Sequence, residues 1–312
     1  MFNQIRLLKV KNIFTSQSFR LIDFLVYIFY TIFGKNQINL NIFRENMTDN
    51  QWKIFCDFKN DLKKMVTKWQ EQFPNLKDLQ KQAAIIAKTP DYPFETPIVY
   101  NLALEEISKN DEIKLIVIGD NPGKDEQLAK NNKYLVGQAG KIAEGFFKRN
   151  ESLGIDFRKN VIILNKTPIH SAKTAQLKII AKLGGSQIAN LIDESQIWMA
   201  KKTAQLHIDL CQAGETESAG VESGGDRPLK NPAELWLVGY SELKTKGIFG
   251  KYREQLKQTY MENSLATWDK VFVFQHFSMN RFSIDLSDNL QKNKSLLENI
   301  HRLGLIHKNE IF

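Results

Sequence analysis

Three short polar clusters hold the residue types that could do chemistry. Gly119-Asp120-Asn121-Pro122-Gly123 sets a carboxylate beside a carboxamide. Asn165-Lys166-Thr167-Pro168 sets a carboxamide beside an amine, and Gln275-His276-Phe277-Ser278 carries an imidazole with a hydroxyl two residues on. A carboxamide offers both a donor and an acceptor, a carboxylate can take a proton, and an imidazole can donate to an oxygen on which charge builds. Alone, each cluster has an ordinary structural explanation. Gly-x-Asn-Pro-Gly consists of turn formers, an Asn ending a strand commonly makes an Asx-turn or a cap, and a lone His is commonly a satisfied structural group. Other chemistries find little support. Gly119 to Lys124 is one residue short of a Walker loop and lacks its Ser/Thr, no G-x-G-x-x-G follows a strand, and no G-x-S-x-G nucleophile turn is present. The two cysteines, Cys56 and Cys211, are too few for a disulfide framework or a four-thiolate metal or cluster site. No metal or other cofactor is expected, and the setting expected is reducing and intracellular: cytoplasmic, or nuclear in a eukaryote.

The elements that must position these clusters follow from periodicity. Phe55, Phe58, Leu62, Met65 and Trp69 step by 3 and 4 along one stripe of an amphipathic helix that Pro74 ends. Further helices are predicted through Leu79–Ala87 and Ile98–Ile107. The period then changes to short β-branched and aromatic runs at 113–118, 161–164, 235–238 and 271–274, the pattern of buried parallel strands. Helical patterns at 141–149, 193–210, 252–261 and 290–303 alternate with them, and a Gly/Ser/Glu-rich stretch at 213–232 reads as a mobile loop. The prediction is an α/β domain: a four-stranded, mainly parallel sheet flanked by helices on both faces, with N-terminal helices. Ligands of such sheets bind beyond the carboxyl ends of the strands, where all three polar clusters fall.

Taken in order, these signals resemble the uracil-DNA glycosylase superfamily. The likeness runs from about Thr96 to the C-terminus: a strand ending in Gly-x-[Asp/Asn]-Pro-Gly, then Val136-Gly137-Gln138-Ala139-Gly140 opening a helix, Asn165 closing the second strand, and His276-x-Ser278 after the fourth. The resemblance implies a monofunctional DNA base-excision glycosylase hydrolysing the bond between deoxyribose and uracil, or a related damaged pyrimidine. Such enzymes turn the nucleotide out of the duplex into a pocket. The sugar becomes cation-like and the base leaves as an anion, so water must be oriented on one side and donors supplied on the other. By this likeness Asn121 orients the water, as in the mismatch-specific and single-strand-selective branches. Asp120 stands where the iron–sulfur branch has a carboxylate and is either the water-activating group, an electrostatic partner or a solvated turn residue. His276 donates to the pyrimidine O2, Asn165 reads the O4 and N3 edge, and Gly119 and Gly123 belong to the first motif.

Several positions depart from the family pattern. The aromatic that stacks on the flipped base is replaced by Leu135, with Tyr134 adjacent. Gly123 stands where the most uracil-strict branch has a Tyr, so exclusion of 5-substituted pyrimidines is expected to be relaxed. Phe277-Ser278-Met279 replaces Pro-Ser-Pro, which makes Met279 or Phe282 the expected wedge into the duplex and Asn280 and Arg281 the expected phosphate contacts, with Ser278 and Lys166 also facing DNA. Lys173 and Lys178 are further basic residues near the strand ends, either phosphate contacts or solvated surface. The iron–sulfur branch's four cysteines are absent.

Composition agrees with a globular DNA-binding domain without requiring one. The chain of 312 residues is 42% hydrophobic and 25% charged, and 43 basic against 35 acidic residues give a net charge of +8. Half of that excess sits in residues 1–46, where Leu21 to Phe33 is apolar apart from Asp23. A spanning helix needs about 20 apolar residues, so stable membrane insertion is not expected. This extension reads as a peripheral anchor, an added helix or translated upstream sequence with the working start at Met47, and the glycosylase-like domain as 47–312. A monomer is expected. Two alternatives stand beside the leading one: a glycosylase-shaped protein that holds DNA or RNA without cutting, and an unrelated α/β hydrolase using Asp120 and His276.

Overall fold

The computed structural model describes residues 47–219 and 233–312; the expectations for residues 1–46 and for most of the 213–232 loop lie outside the described residues. Thr48 opens helix α1 (Asp49–Gln72), its hydroxyl accepting from the Gln51 N–H while the Gln51 side chain accepts from the Thr48 N–H. This reciprocal cap satisfies two otherwise orphaned donors. Helix α2 (Leu76–Ile86) follows. The helix predicted at 98–107 is not there. Ile98 instead bridges Ile169, and only a single 3-10 turn forms at Leu102–Glu105. Ile98, Val99, Leu104 and Ile107 are buried by tertiary contacts, which overrides the local pattern.

Strand β1 (Leu115–Gly119) leads through helix α3 (Gln138–Arg149) to β2 (Val161–Asn165). Helix α4 spans Gln176–Ala219, longer than predicted, and is broken at Gly185, whose φ of 63° is outside the helical region. It covers the first seven residues of the stretch expected to be a loop. Then come β3 (Glu234–Val238), the short helix α5 (Tyr240–Leu243), α6 (Gly250–Asn263), α7 (Leu265–Trp268) and β4 (Val271–Phe274). Helices α8 (Arg281–Asp288) and α9 (Leu296–Ile311) finish the chain. The last begins six residues later than predicted, because Ser295 and Glu298 form a second reciprocal cap there.

The four strands lie in the order β2-β1-β3-β4, all parallel. Successive side chains point to opposite faces, and both faces are buried. Ile116, Ile118, Ile162, Leu164, Leu235, Leu237, Val271 and Val273 pack against α1, α2, α4 and α6. Their sequence neighbours, including Val117, Ile163, Trp236 and Phe274, pack against α3, α8 and α9. Because β2 lies on one side of β1 and β3 on the other, the chain reverses its winding between β1 and β3. That switch point is where an open α/β sheet leaves a crevice at its carboxyl edge. Among the described residues no helix is long and apolar enough to cross a membrane, and no group of three His, Cys, Asp or Glu side chains could hold a metal ion.

Candidate active-site cleft

A cleft of about 630 Å³ opens at this carboxyl edge, and Asp120, Asn121, Asn165 and His276 all line it. Its volume falls in the range of small-molecule sites. The first, second and fourth strand ends therefore converge, and the third contributes Gly239.

The floor is built on a buried ion pair. Lys166 is wholly buried, and its Nζ donates to Asp120 Oδ1 at 2.5 Å and to the Val238 carbonyl at 2.6 Å. From the end of β2 it reaches across β1 to β3. Burial pulls its pKa below the usual lysine value, while the Asp120 carboxylate pulls the other way. Lys166 is therefore not a phosphate contact, contrary to the sequence expectation: its charge is consumed inside the protein. Asp120 is 12% exposed and locked to this lysine, which also corrects the reading of it as a solvated turn carboxylate. Gly239 makes room for the pair. Its φ is 93°, and a Cβ there would lie 2.2 Å from Asp120 Oδ1.

Asn121 is fixed by its amide nitrogen, which donates to the Ser171 carbonyl at 3.1 Å, to Ser171 Oγ at 2.9 Å and to the Pro122 carbonyl at 3.2 Å. Carbonyls only accept, so these contacts assign the nitrogen and leave Oδ1 as the end able to receive a proton donor such as water. His170 braces the same loop from beneath. Its Nδ1 contacts the Pro122 carbonyl at 2.8 Å, and burial lowers its pKa to about 4. It is therefore neutral, with the Nδ1 proton on that carbonyl.

Asn165 is 1% exposed, and its Nδ2 has no hydrogen-bond partner in the protein. Its Oδ1 packs so closely on Gly119 that a Cβ at 119 would lie 2.4 Å away. Gly119 thus serves the site by letting this amide seat against the strand. An unsatisfied buried donor costs about 1–3 kcal/mol, and at the edge of a cleft a ligand or a water can supply the missing acceptor.

His276 shows which nitrogen carries its proton. The Ser278 backbone N–H donates to Nδ1 at 3.1 Å, and Ser278 Oγ lies 2.8 Å from the same atom. A backbone N–H can only donate, so Nδ1 is the acceptor and the proton of the neutral ring resides on Nε2. Burial holds the pKa below its usual 6.5, against the nearby Asp120 charge, with Lys166 adding to the lowering. The imidazole is a neutral donor.

Around the rim, Gly123 lines the cleft, and a Cβ added there would meet nothing within 4 Å. Leu135 also lines it, with a left-handed backbone (φ 51°) rare for a residue of its kind. Ser278, Met279 and Arg281 lie on the same wall, Met279 being 68% exposed. Met279 and Asn280 are consecutive left-handed residues (φ 54° and 57°) that turn the chain outward, and Asn280 is exposed just beyond the rim.

Two predicted residues belong to the core instead. Phe282 is 1% exposed and packs on Phe146, Trp236, Phe274 and Phe277, so Met279 alone of the two expected wedges projects outward. Tyr134 is buried with its hydroxyl donating to the Val99 carbonyl at 2.6 Å, and it does not line the cleft. Sequence reasoning also missed residues. Ser171 and Gly239 carry no local signal, and Glu126, beside Lys124 and Asp125, carries no sign of its burial. Glu126 is in fact buried and borders the cleft. Charge along the lining is mixed, with Lys124, Lys173 and Arg281 beside Asp125, Glu126 and Glu242. Lys178 is occupied on the surface, donating to the Lys246 carbonyl at 2.7 Å.

Compared with protein-family models, curated proteins and solved structures, the chain finds no match in any of the three.

Proposed function

We propose that the chain is a base-excision glycosylase acting on uracil, or on a related damaged pyrimidine, turned out of DNA. The observation that carries this reading is the orphaned Nδ2 of Asn165, a buried donor at the bottom of a cleft that Asn121 and the neutral His276 also line. A pyrimidine edge presenting an acceptor completes Asn165, and its carboxamide oxygen suits the adjacent ring N–H. Cytosine, which offers a donor at the 4-position, is rejected by the same group. The Nε2–H of His276 stabilises negative charge as the base departs. One such preorganised donor contributes about 3 kcal/mol. Asn121 Oδ1 holds the attacking water but cannot take its proton; as the new C–O bond replaces the broken C–N bond, that proton leaves to solvent, where the departed base anion is reprotonated. Asp120, which lines the same cleft, is the electrostatic partner for a cation-like sugar, its charge shared with the buried Lys166. Exposed Met279 fits the space left in the duplex, and Lys124, Lys173 and Arg281 meet phosphates, so binding weakens steeply with salt. No metal or cofactor enters the scheme.

The test is direct. A uracil-containing oligonucleotide incubated with the protein and then treated with alkali is expected to break at the uracil. Intact strands with uracil and with a panel of other damaged bases refute the proposal. One feature favours the non-cutting alternative: Leu135 offers no aromatic face for stacking on the base. Filter binding without abasic product would select that alternative.

A further inference from the structure

Glu126 is a buried carboxylate that the scheme above does not use. It lies between the two segments that form one side of the cleft. Its Oε2 accepts from the Gly123 N–H at 3.0 Å and its Oε1 from the Leu135 N–H at 2.9 Å. The first donor belongs to the loop after β1, the second to the segment that enters α3. On the other side of the same residue, Arg158 Nη2 donates to the Leu135 carbonyl at 2.8 Å, and Arg158 is itself paired with Glu144 at 3.0 Å. Leu135 is thus gripped at both its N–H and its C=O, which explains how it keeps a left-handed backbone that costs about 1–3 kcal/mol in a residue with a branched side chain. Gly140 fits the same arrangement. A Cβ there would lie 1.5 Å from the Leu135 carbonyl oxygen, so only glycine lets α3 begin against it.

The geometry points to Glu126 as a positioning residue: its two-handed clamp sets the distance between the Gly123 loop and Leu135, and with it the fit of the cleft to a planar base. This rests on the glycosylase reading for the identity of the ligand, but not for the clamp itself. The clamp needs both oxygens as acceptors, hence the carboxylate form. Protonation turns one oxygen into a donor facing an N–H, and that hydrogen bond is lost. Burial pushes the Glu126 pKa up from 4.5 to about 7. The charged groups facing it are Asp125, which adds to the rise, and Arg158, which opposes it together with the two N–H donors. The cleft is therefore fully clamped in mild alkali and half released near neutrality.

Two measurements test this. In amide correlation spectra of the full chain recorded from pH 5.5 to 8.5, the Gly123 and Leu135 signals are expected to move together with a midpoint near 7. In Glu126→Gln, which presents one acceptor and one donor at every pH, neither should titrate. Independent movement, or none, in the wild-type protein overturns the clamp, and this readout needs no variant to fold. For excision at pH 8, Glu126→Gln is expected to raise KM at least fivefold with kcat within twofold, and the wild-type KM should climb toward the variant's as pH falls through 7. An unchanged KM overturns the positioning role. If the wild-type protein excises no base, the glycosylase reading has failed, and the amide signals alone decide on Glu126.

Discussion

Asn165→Ala separates a ligand-reading amide from a structural one, because the two predict opposite balances of stability and activity. In the folded protein the Asn165 Nδ2 is buried without a partner. Removing that group returns about 1–3 kcal/mol of desolvation cost. Against this stands the lost packing of a short side chain on Gly119, about 1 kcal/mol, since the hole borders an open cleft and water can enter it. The sum predicts a folding free energy within about 1 kcal/mol of wild type, or slightly above it. Activity should move the other way. A donor aimed at a pyrimidine oxygen in a desolvated pocket contributes roughly 1.5–3 kcal/mol, which is about 10- to 150-fold in kcat/KM. Urea unfolding followed by fluorescence gives the first quantity, and alkali cleavage of a uracil oligonucleotide under single-turnover conditions gives the second. A variant destabilised by more than about 3 kcal/mol with unchanged excision would mean that Asn165 holds the strand end together and reads nothing.

Other outcomes follow from the same geometry. The folded Glu126 pKa is raised from 4.5 to about 7, so the neutral carboxyl's contribution, about 3 kcal/mol, is complete below pH 4.5 and lost as pH rises through 7. Glu126→Gln, which lacks the same hydrogen bond as the protonated acid, should therefore match or fall slightly below wild type at pH 4.5 and exceed it by about 2–3 kcal/mol at pH 8; thermal melts across that range check it. His170 and His207, both buried and lowered from 6.5 to about 4, act with the opposite sign: their contribution is present above 6.5 and drains away as pH falls toward 4. The melting temperature should drop over that interval, and drop more steeply in Glu126→Gln. Gly239→Ala forces a Cβ to 2.2 Å from Asp120 Oδ1 at a φ of 93°, so a loss of at least about 2 kcal/mol in urea unfolding is expected, with excision impaired. Gly123→Tyr meets open space; it should fold normally and reduce excision of 5-substituted pyrimidines more than of uracil in a competition assay.

The sheet was legible because its signal is one-dimensional. Val161-Ile162-Ile163-Leu164 and Val271-Phe272-Val273-Phe274 are buried on both faces, and continuous apolar runs between helical patterns admit few other arrangements. Strand ends followed from that, which is why Asp120, Asn121, Asn165 and His276 could be placed on one edge before any coordinates. What stayed hidden depends on direction. Lys166, the residue after β2, reads as a surface base, yet its side chain turns inward across β1 to the Val238 carbonyl, and the Asp120 carboxylate makes that tolerable. Met279, in the turn before α8, and Phe282, in its first turn, are three residues apart. Two successive left-handed residues decide that one enters the core and the other faces solvent, and neither Met279 nor Asn280 advertises such a backbone. The 98–107 segment has helical spacing but is used as an irregular wall, a choice made by the strands it covers.

The Lys166–Asp120–Gly239 trio also bears on ancestry. Losing either charge strands the other in the interior, at a cost of about 3–5 kcal/mol, and any side chain at 239 would strike the pair. The three positions can drift only in concert, however freely the surface around them diverges. A lysine directly after the carboxamide that closes one strand, an acid opening the loop after a second, and a glycine following a third are bound to one another by a single interior contact. It offers a way to seek distant kin of this chain one interior contact at a time.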